Sequence, residues 1–165
     1  MAMYSFAKAI TEGRKIALYD EGLLLRDFTY IDDIVLGIVS VLFEAAKSDE
    51  TWSEQLRLAT SIAPYRIFNI GNEDAVEVRR VVSLIERHLG KTARVEFLPR
   101  NPADVRATFA DISDLTAQFG FLPKTSIEEG VEKFVSWFKE FHKLTSASRT
   151  IGNAVSPNDS IGVSL

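Results

Sequence analysis

The chain has 165 residues, 46% of them apolar and 25% charged, with a net charge of −4 and no cysteine. This composition suits one globular domain with its own core, and the missing thiols exclude disulfide frameworks, thiolate nucleophiles and Cys-based zinc sites. With only two histidines, His88 and His142, and no basic run, the sequence offers neither a His-rich metal centre nor an electrostatic footprint for nucleic acid.

In chain order, apolar residues at Met3, Phe6, Ala7 and Ile10 predict a helix from Ala2 to Ile10 that stops at Gly13. Lys15 to Tyr19 reads as a strand, followed by a turn at Asp20-Glu21-Gly22. Arg26 to Tyr30 alternates polar and apolar and is expected to be extended. Asp32 or Asp33 then caps a helix reaching about Lys47, with Ile34, Val35, Ile38, Leu42 and Ala45 for its buried face. This longest apolar-dominated stretch, Ile31 to Ala46, is too short and too often interrupted by acids for a membrane span. The N-terminus lacks a signal-peptide layout, so a cytoplasmic location is the default expectation.

Ser48 to Pro64 is a polar connection. Arg66 to Ile70 reads as a strand closed by Gly71-Asn72. Asp74 and Glu77 have capping-box spacing for a helix from Ala75 to Leu89, with Val78, Val81, Val82, Ile85 and Leu89 as its stripe and Gly90 as its C-cap. Arg94 to Leu98 alternates as a strand, and Pro99 and Pro102 stiffen the loop after it. A short helix spans Asp111 to Phe119 before Gly120. Ser126 caps the last helix, whose stripe is Ile127, Val131, Phe134, Val135, Phe138 and Phe141. From about Thr145 onward periodicity is lost, and residues 144–165 are expected to be a disordered tail. The fold class is α/β, with too few strands for a self-contained doubly wound sheet.

Three segments carry candidate site residues. Arg26 stands in an extended stretch where its planar fork suits a phosphate or carboxylate, although residue type alone favours a surface Arg26–Asp27 arrangement. Arg100, Asn101 and Asp104 sit on a Pro-stiffened turn that would hold a polar ligand at low ordering cost, with a plain solvated turn as the alternative. Asn69 and Gly71 end a strand before a helix, where open α/β sheets bind ligands, but the glycine alone also explains a turn. Asp32-Asp33 is read as helix capping rather than a metal pair. The histidines are read as surface groups, and Trp137, Phe138 and Phe141 as core or interface.

Taken together, the segments resemble the C-terminal part of NAD-dependent nucleotide-sugar epimerases and dehydratases of the extended short-chain dehydrogenase/reductase family, most closely the UDP-glucuronate 4-epimerase-like members. The resemblance runs over residues 1–143. It rests on Met1-Ala2-Met3 through Phe6 and Ile10, on Arg26-Asp27-Phe28-Thr29-Tyr30-Ile31-Asp32-Asp33-Ile34-Val35, on Ala63 to Asn72, on Pro102 to Val105 with Thr108 to Asp111, and on Gly120-Phe121 with Thr125 to Phe138. It implies that Arg26 contacts the diphosphate of a UDP-sugar and that Asp104 hydrogen-bonds the uridine ribose. Arg100 and Asn101 would lie near the diphosphate and sugar, Asn69 and Gly71 would support the pocket, and Tyr30 would be structural. Ala103 and Asn101 depart from the family's usual glycine and Gln or Arg.

The resemblance also implies a Rossmann-type α/β portion with a few strands and about five helices, lacking the N-terminal NAD-binding half. No Gly-x-x-Gly-x-x-Gly occurs, and the Tyr4/Lys8 spacing lies downstream of the family's catalytic pair. No catalytic residue is therefore assigned. The expectation is the substrate-binding part of a C4 epimerase acting through a 4-keto intermediate, inactive alone, with NAD and the missing half as partners and a homodimer allowed. Dehydration or decarboxylation, or a non-catalytic nucleotide-sugar-binding module, are the alternatives.

Overall fold

The structure, a computed structural model, describes residues 2–53 and 58–144. The segment read as a disordered tail falls outside them except for Leu144. Among the described residues there are five α-helices and four short strands: α1 (Ala2–Thr11), β1 (Lys15–Tyr19), β2 (Leu25–Asp27), α2 (Ile31–Leu42), β3 (Ala75–Glu77), α3 (Val78–Leu89), β4 (Arg94–Leu98), α4 (Ser113–Phe119) and α5 (Ile127–Phe141). None of these helices is long and apolar enough to cross a membrane.

β1 and β4 pair in parallel, Lys15 opposite Arg94 through Tyr19 opposite Leu98. β1 alternates exposed and buried, so Ile16 and Leu18 face inward. Beneath them α1, α3 and α5 bury Ala7, Ile10, Val81, Ile85, Val131 and Phe138 as the main core. The apolar stripes read from the sequence of α3 and α5 supply most of it, because period 3.6 puts those residues on one face. Ser126 does cap α5, its Oγ accepting from Glu129 N–H at 3.2 Å. Gly90 and Gly120 take the left-handed conformation that closes α3 and α4.

Four expectations are corrected. Residues 75–77 form β3, antiparallel to β2, instead of the first turn of α3, and no Asp74–Glu77 capping box forms. Burial of Val76 and pairing with Leu25–Asp27 outweigh local capping. Residues 66–70 keep the alternation of a strand, with Phe68 and Ile70 turned inward, but only Thr60 and Arg66 form a bridge. A ladder needs a neighbour along its length, and the pairing stops after the Thr60–Arg66 bridge and the bond from Ile67 N–H to Ala59 carbonyl at 2.9 Å.

The helix after Tyr30 starts at Ile31 with no side-chain cap and ends at Leu42 rather than Lys47. Its expected buried face is also wrong. Val35, Ile38 and Leu42 are exposed, and only Asp33 and Gly37 are buried. Gly37 is the contact point, since a Cβ there would lie 3.0 Å from Ile70 Cγ2 and 3.3 Å from Phe121. Ile70 and Phe121 belong to a second small core with Ile112 and Leu115.

Candidate functional site

β2 and the 104–111 segment form the frame of the site. Leu25 N–H donates to Arg106 carbonyl at 2.9 Å, and Thr108 N–H donates back to Leu25 carbonyl at 3.1 Å. Next along β2, Arg26 leaves this frame and meets Asp104. Its Nη2 donates to Asp104 Oδ1 at 2.8 Å, while Nη1 donates to Leu25 carbonyl at 2.7 Å. The two side chains are 23% and 39% exposed, so the pair is reachable by a ligand yet partly shielded from water. Arg100 arrives at the same point from the other end of its turn, Nη1 donating to Asp104 carbonyl at 2.9 Å. Asn101 shapes that turn. Its Oδ1 accepts from Ala103 N–H at 3.0 Å and its carbonyl accepts from Asp104 N–H at 2.9 Å.

Thus Arg26, Arg100 and Asp104, separated by up to 78 residues, are brought together, and Asn101 sets the bend that presents them. The Asp104 carboxylate is met by Arg26, while Arg100 holds only the Asp104 main-chain carbonyl, so one guanidinium charge is left over, the electrostatic requirement for holding an anion such as a phosphate. The surface Arg26–Asp27 arrangement does not form. Asp27 turns the other way and accepts backbone N–H groups from Asn72 at 3.1 Å, Glu73 at 3.3 Å and Ala110 at 3.2 Å.

That carboxylate is the residue the sequence reading missed. Its only sequence signal is a charge inside a short extended stretch, which does not name three backbone partners. Asn69 and Gly71 sit on the segment Asp27 binds. Asn69 Nδ2 donates to Asp111 carbonyl at 3.1 Å. At Gly71 an added Cβ would stand 2.2 Å from Ala110 Cβ and 3.0 Å from Asp27 Oδ2. Both residues therefore act on the frame; neither touches Arg26 or Asp104 through a hydrogen bond in the structure.

Other candidates resolve into structural roles. Asp33 is 3% exposed and accepts from Lys124 and Thr125 N–H at 3.3 and 3.0 Å, tying α2 to the approach to α5 rather than capping its own helix. His142, read as a surface group, instead hydrogen-bonds Tyr4 Oη at 3.1 Å and packs 4.5 Å from the Phe138 ring centroid. Trp137 stacks on Phe141 at 5.2 Å. Tyr30 lies under Lys133, whose Nζ is 5.0 Å from the ring centroid, and a cavity of about 380 Å³ beside them is lined also by Phe28, Phe134 and Trp137. No cluster of three metal-ligating side chains occurs among the described residues. Ser113 hydrogen bonds hold Asp111 below the usual carboxylate range, Arg80 does the same to Glu128, and Glu129 raises Lys133. None of the three belongs to the Arg26 cluster.

No family model matches the chain. It is 40% identical over 144 residues to Protein CapI of Staphylococcus aureus, covering 87% of this chain and 43% of that protein. To UDP-glucuronate 4-epimerase 1 of Arabidopsis thaliana it is 37% identical over 156 residues, covering 92% of this chain and 35% of the relative. Among solved structures it is similar to UDP-glucuronic acid 4-epimerase from Bacillus cereus in complex with NAD. That match has 27% identity and a TM-score of 0.65, and covers 89% of this chain and 40% of the other. The chain spans about two fifths of the length of the curated relatives it matches.

Proposed function

From a chain that is homologous over most of its length to UDP-glucuronate 4-epimerases and has the fold of part of the extended short-chain dehydrogenase/reductase epimerases, we propose that it forms the C-terminal, substrate-binding portion of a nucleotide-sugar epimerase. Residues 1–143 are the binding unit, and the ligand is a UDP-sugar, with UDP-glucuronate the first choice. The observation that carries this reading is the convergence of Arg26 and Arg100 on Asp104.

In the unliganded protein Asp104 occupies the guanidinium edge of Arg26. A diphosphate competes for that edge, because an Arg fork matches phosphate oxygens as well as carboxylate oxygens. Asp104, once released, accepts hydrogen bonds from ribose hydroxyls. Arg100 and Asn101 set the position of the loop and so of the sugar end. Such fixing of the non-reacting part of a substrate contributes to rate through orientation alone.

The turn after β1 does not fit the nicotinamide cofactor of the relatives. A phosphate-binding turn needs glycines opening onto a helix N-terminus. The turn after β1 has one glycine, Gly22, whose free side is filled by Arg79, with a Cβ–Cβ approach of 2.8 Å, and the chain continues into β2. No hydride or proton step is assigned to these residues, and the portion alone is expected to be inactive.

Titration calorimetry with UDP and UDP-glucuronate tests the reading. Binding heat with both, lost in Arg26→Ala and weakened about tenfold or more in Arg26→Lys, is expected from loss of the bidentate fork. A wild-type chain that is folded and gives no heat would leave a structural module instead, and epimerisation by the purified chain would refute the assignment of inactivity.

A further inference from the structure

Parallel N–H groups grip a phosphate along one edge of a guanidinium, either Nη1 with Nη2 or Nε with Nη2. In Arg26 the main chain takes up the first edge. Nη1 donates to the Leu25 carbonyl at 2.7 Å, and the Arg106 carbonyl stands 3.5 Å from it. Either edge includes Nη2, and Nη2 donates to Asp104 Oδ1 at 2.8 Å. A phosphate held by the fork must therefore displace Asp104.

The side chain can move aside without its turn. The turn is fixed by the main chain, with Asp104 N–H donating to the Asn101 carbonyl and the Asp104 carbonyl accepting from Arg100 Nη1, both at 2.9 Å. The Asp104 side chain is 39% exposed and bonds only Arg26 among the described residues. A rotation about its own bonds releases it. What that rotation costs depends on the ligand. Bare pyrophosphate takes a charge-assisted hydrogen bond from Asp104 and leaves its carboxylate beside a second anion. A ribonucleotide brings two vicinal hydroxyls, which donate to the displaced carboxylate and replace the lost bond. The Arg100 guanidinium, bonded to a main-chain carbonyl, attracts both ligands and does not choose between them.

We propose that the Arg26–Asp104 pair selects for the ribose: it admits ribonucleoside diphosphates and disfavours polyphosphates that carry no sugar diol. Asp104 is both the competitor a ligand must displace and the acceptor that a ribose satisfies. This selection rests on the UDP-sugar reading above, which assigns contacts but no discrimination between ligands.

Titration calorimetry on the 165-residue chain compares UDP, pyrophosphate and a dideoxy-UDP that lacks both ribose hydroxyls. The unsubstituted chain is expected to bind UDP about tenfold more tightly than the dideoxy analogue. In Asp104→Ala, pyrophosphate and the analogue are expected to bind about three- to tenfold more tightly while UDP changes by less than about threefold, so the preference for UDP over its analogue disappears. If all the ligands tighten by one factor, Asp104 merely repels anions; if all weaken together, the turn is disturbed. Either result would overturn the proposal, as would a preference for UDP that survives the substitution. If Asp104→Ala does not fold, Asp104→Asn, which keeps the size, is judged by the same convergence. A folded unsubstituted chain that binds no UDP would defeat the UDP-sugar reading and the selection with it. UDP heat that is lost in Arg26→Ala, with none of the Asp104 shifts, would defeat the selection alone.

Discussion

Replacing Asp27 by Asn changes one oxygen to nitrogen at the point where three chain segments meet. The native carboxylate accepts from Asn72, Glu73 and Ala110 backbone N–H groups at 3.1, 3.3 and 3.2 Å. Asn turns its oxygen toward Glu73 and Ala110 and keeps both as bonds to a neutral acceptor, while its NH₂ faces the Asn72 N–H, which is left against another donor. Hydrogen bonds to a charged acceptor contribute about 1.5–3 kcal/mol each. One bond is lost and the other two fall from charged to neutral strength, so for a half-buried residue the sum is about 2–4 kcal/mol, within the range of the larger single-site effects. With a urea m-value of about 2 kcal/mol/M, the unfolding midpoint should fall by about 1–2 M with m unchanged. Amide exchange at Ala110 and Glu73 should accelerate beyond the global effect, because the frame opens locally first. A midpoint within about 0.3 M of the unsubstituted chain would mean the segments are held by packing alone, and the argument that Asp27 orders the frame under Arg26 would fail.

Gly71→Ala is expected to cost about 1–3 kcal/mol, since its Cβ would overlap Ala110 Cβ at 2.2 Å. Thermal melts should show partial rescue when Ala110→Gly is added, and an unchanged single-variant Tm would show that the segment moves aside freely. Arg80 holds Glu128 below its ordinary range, so the pair's contribution is present above pH 4.5 and is lost as pH falls through the lowered folded-state value. Both side chains are about half exposed, which limits it to about 0.3 kcal/mol. Glu128→Gln should therefore flatten the acid limb of stability slightly and leave the alkaline limb alone, as urea midpoints across pH 2–7 would show. Finally, Leu42 and Phe43 are 64% and 87% exposed beside Val35, Ile38 and Val39. The isolated chain should self-associate through this face, and Leu42→Glu should lower the mass seen by light scattering. A monomeric unsubstituted chain at about 100 µM would contradict that.

How much of the site was legible divides along the range of the interactions. Arg26, Arg100 and Asp104 could be named from residue type and motif order, and the structure places them in one cluster. Their mutual geometry could not be read, because it depends on parallel contact between β2 and residues 106–108, some 80 positions away. Asp27 passed unnoticed for the same reason. Its partner Ala110 lies 83 residues distant, and nothing in the local pattern of either segment points there.

The elements whose identity rests on neighbours three or four residues away were settled by sequence. β1 and β4 appear with the bounds read from alternation, α3 and α5 bury most of the stripes their spacing dictates although Phe141 is 64% exposed, and Ser126 and Gly90 cap helices as their chemistry requires. Where local and distant interactions competed, the distant one prevailed. Residues 75–77 gave up a capping box for three rungs with β2, and 66–70 kept a strand's alternation without a strand's ladder. α2 kept its helix but turned its apolar residues outward, because periodicity defines a face without saying what that face will meet. The meeting of Arg26 with Asp104 belongs to this second group, since backbone pairing across the fold brings charges 78 residues apart within 3 Å, whereas Arg100 reaches the Asp104 carbonyl within its own turn.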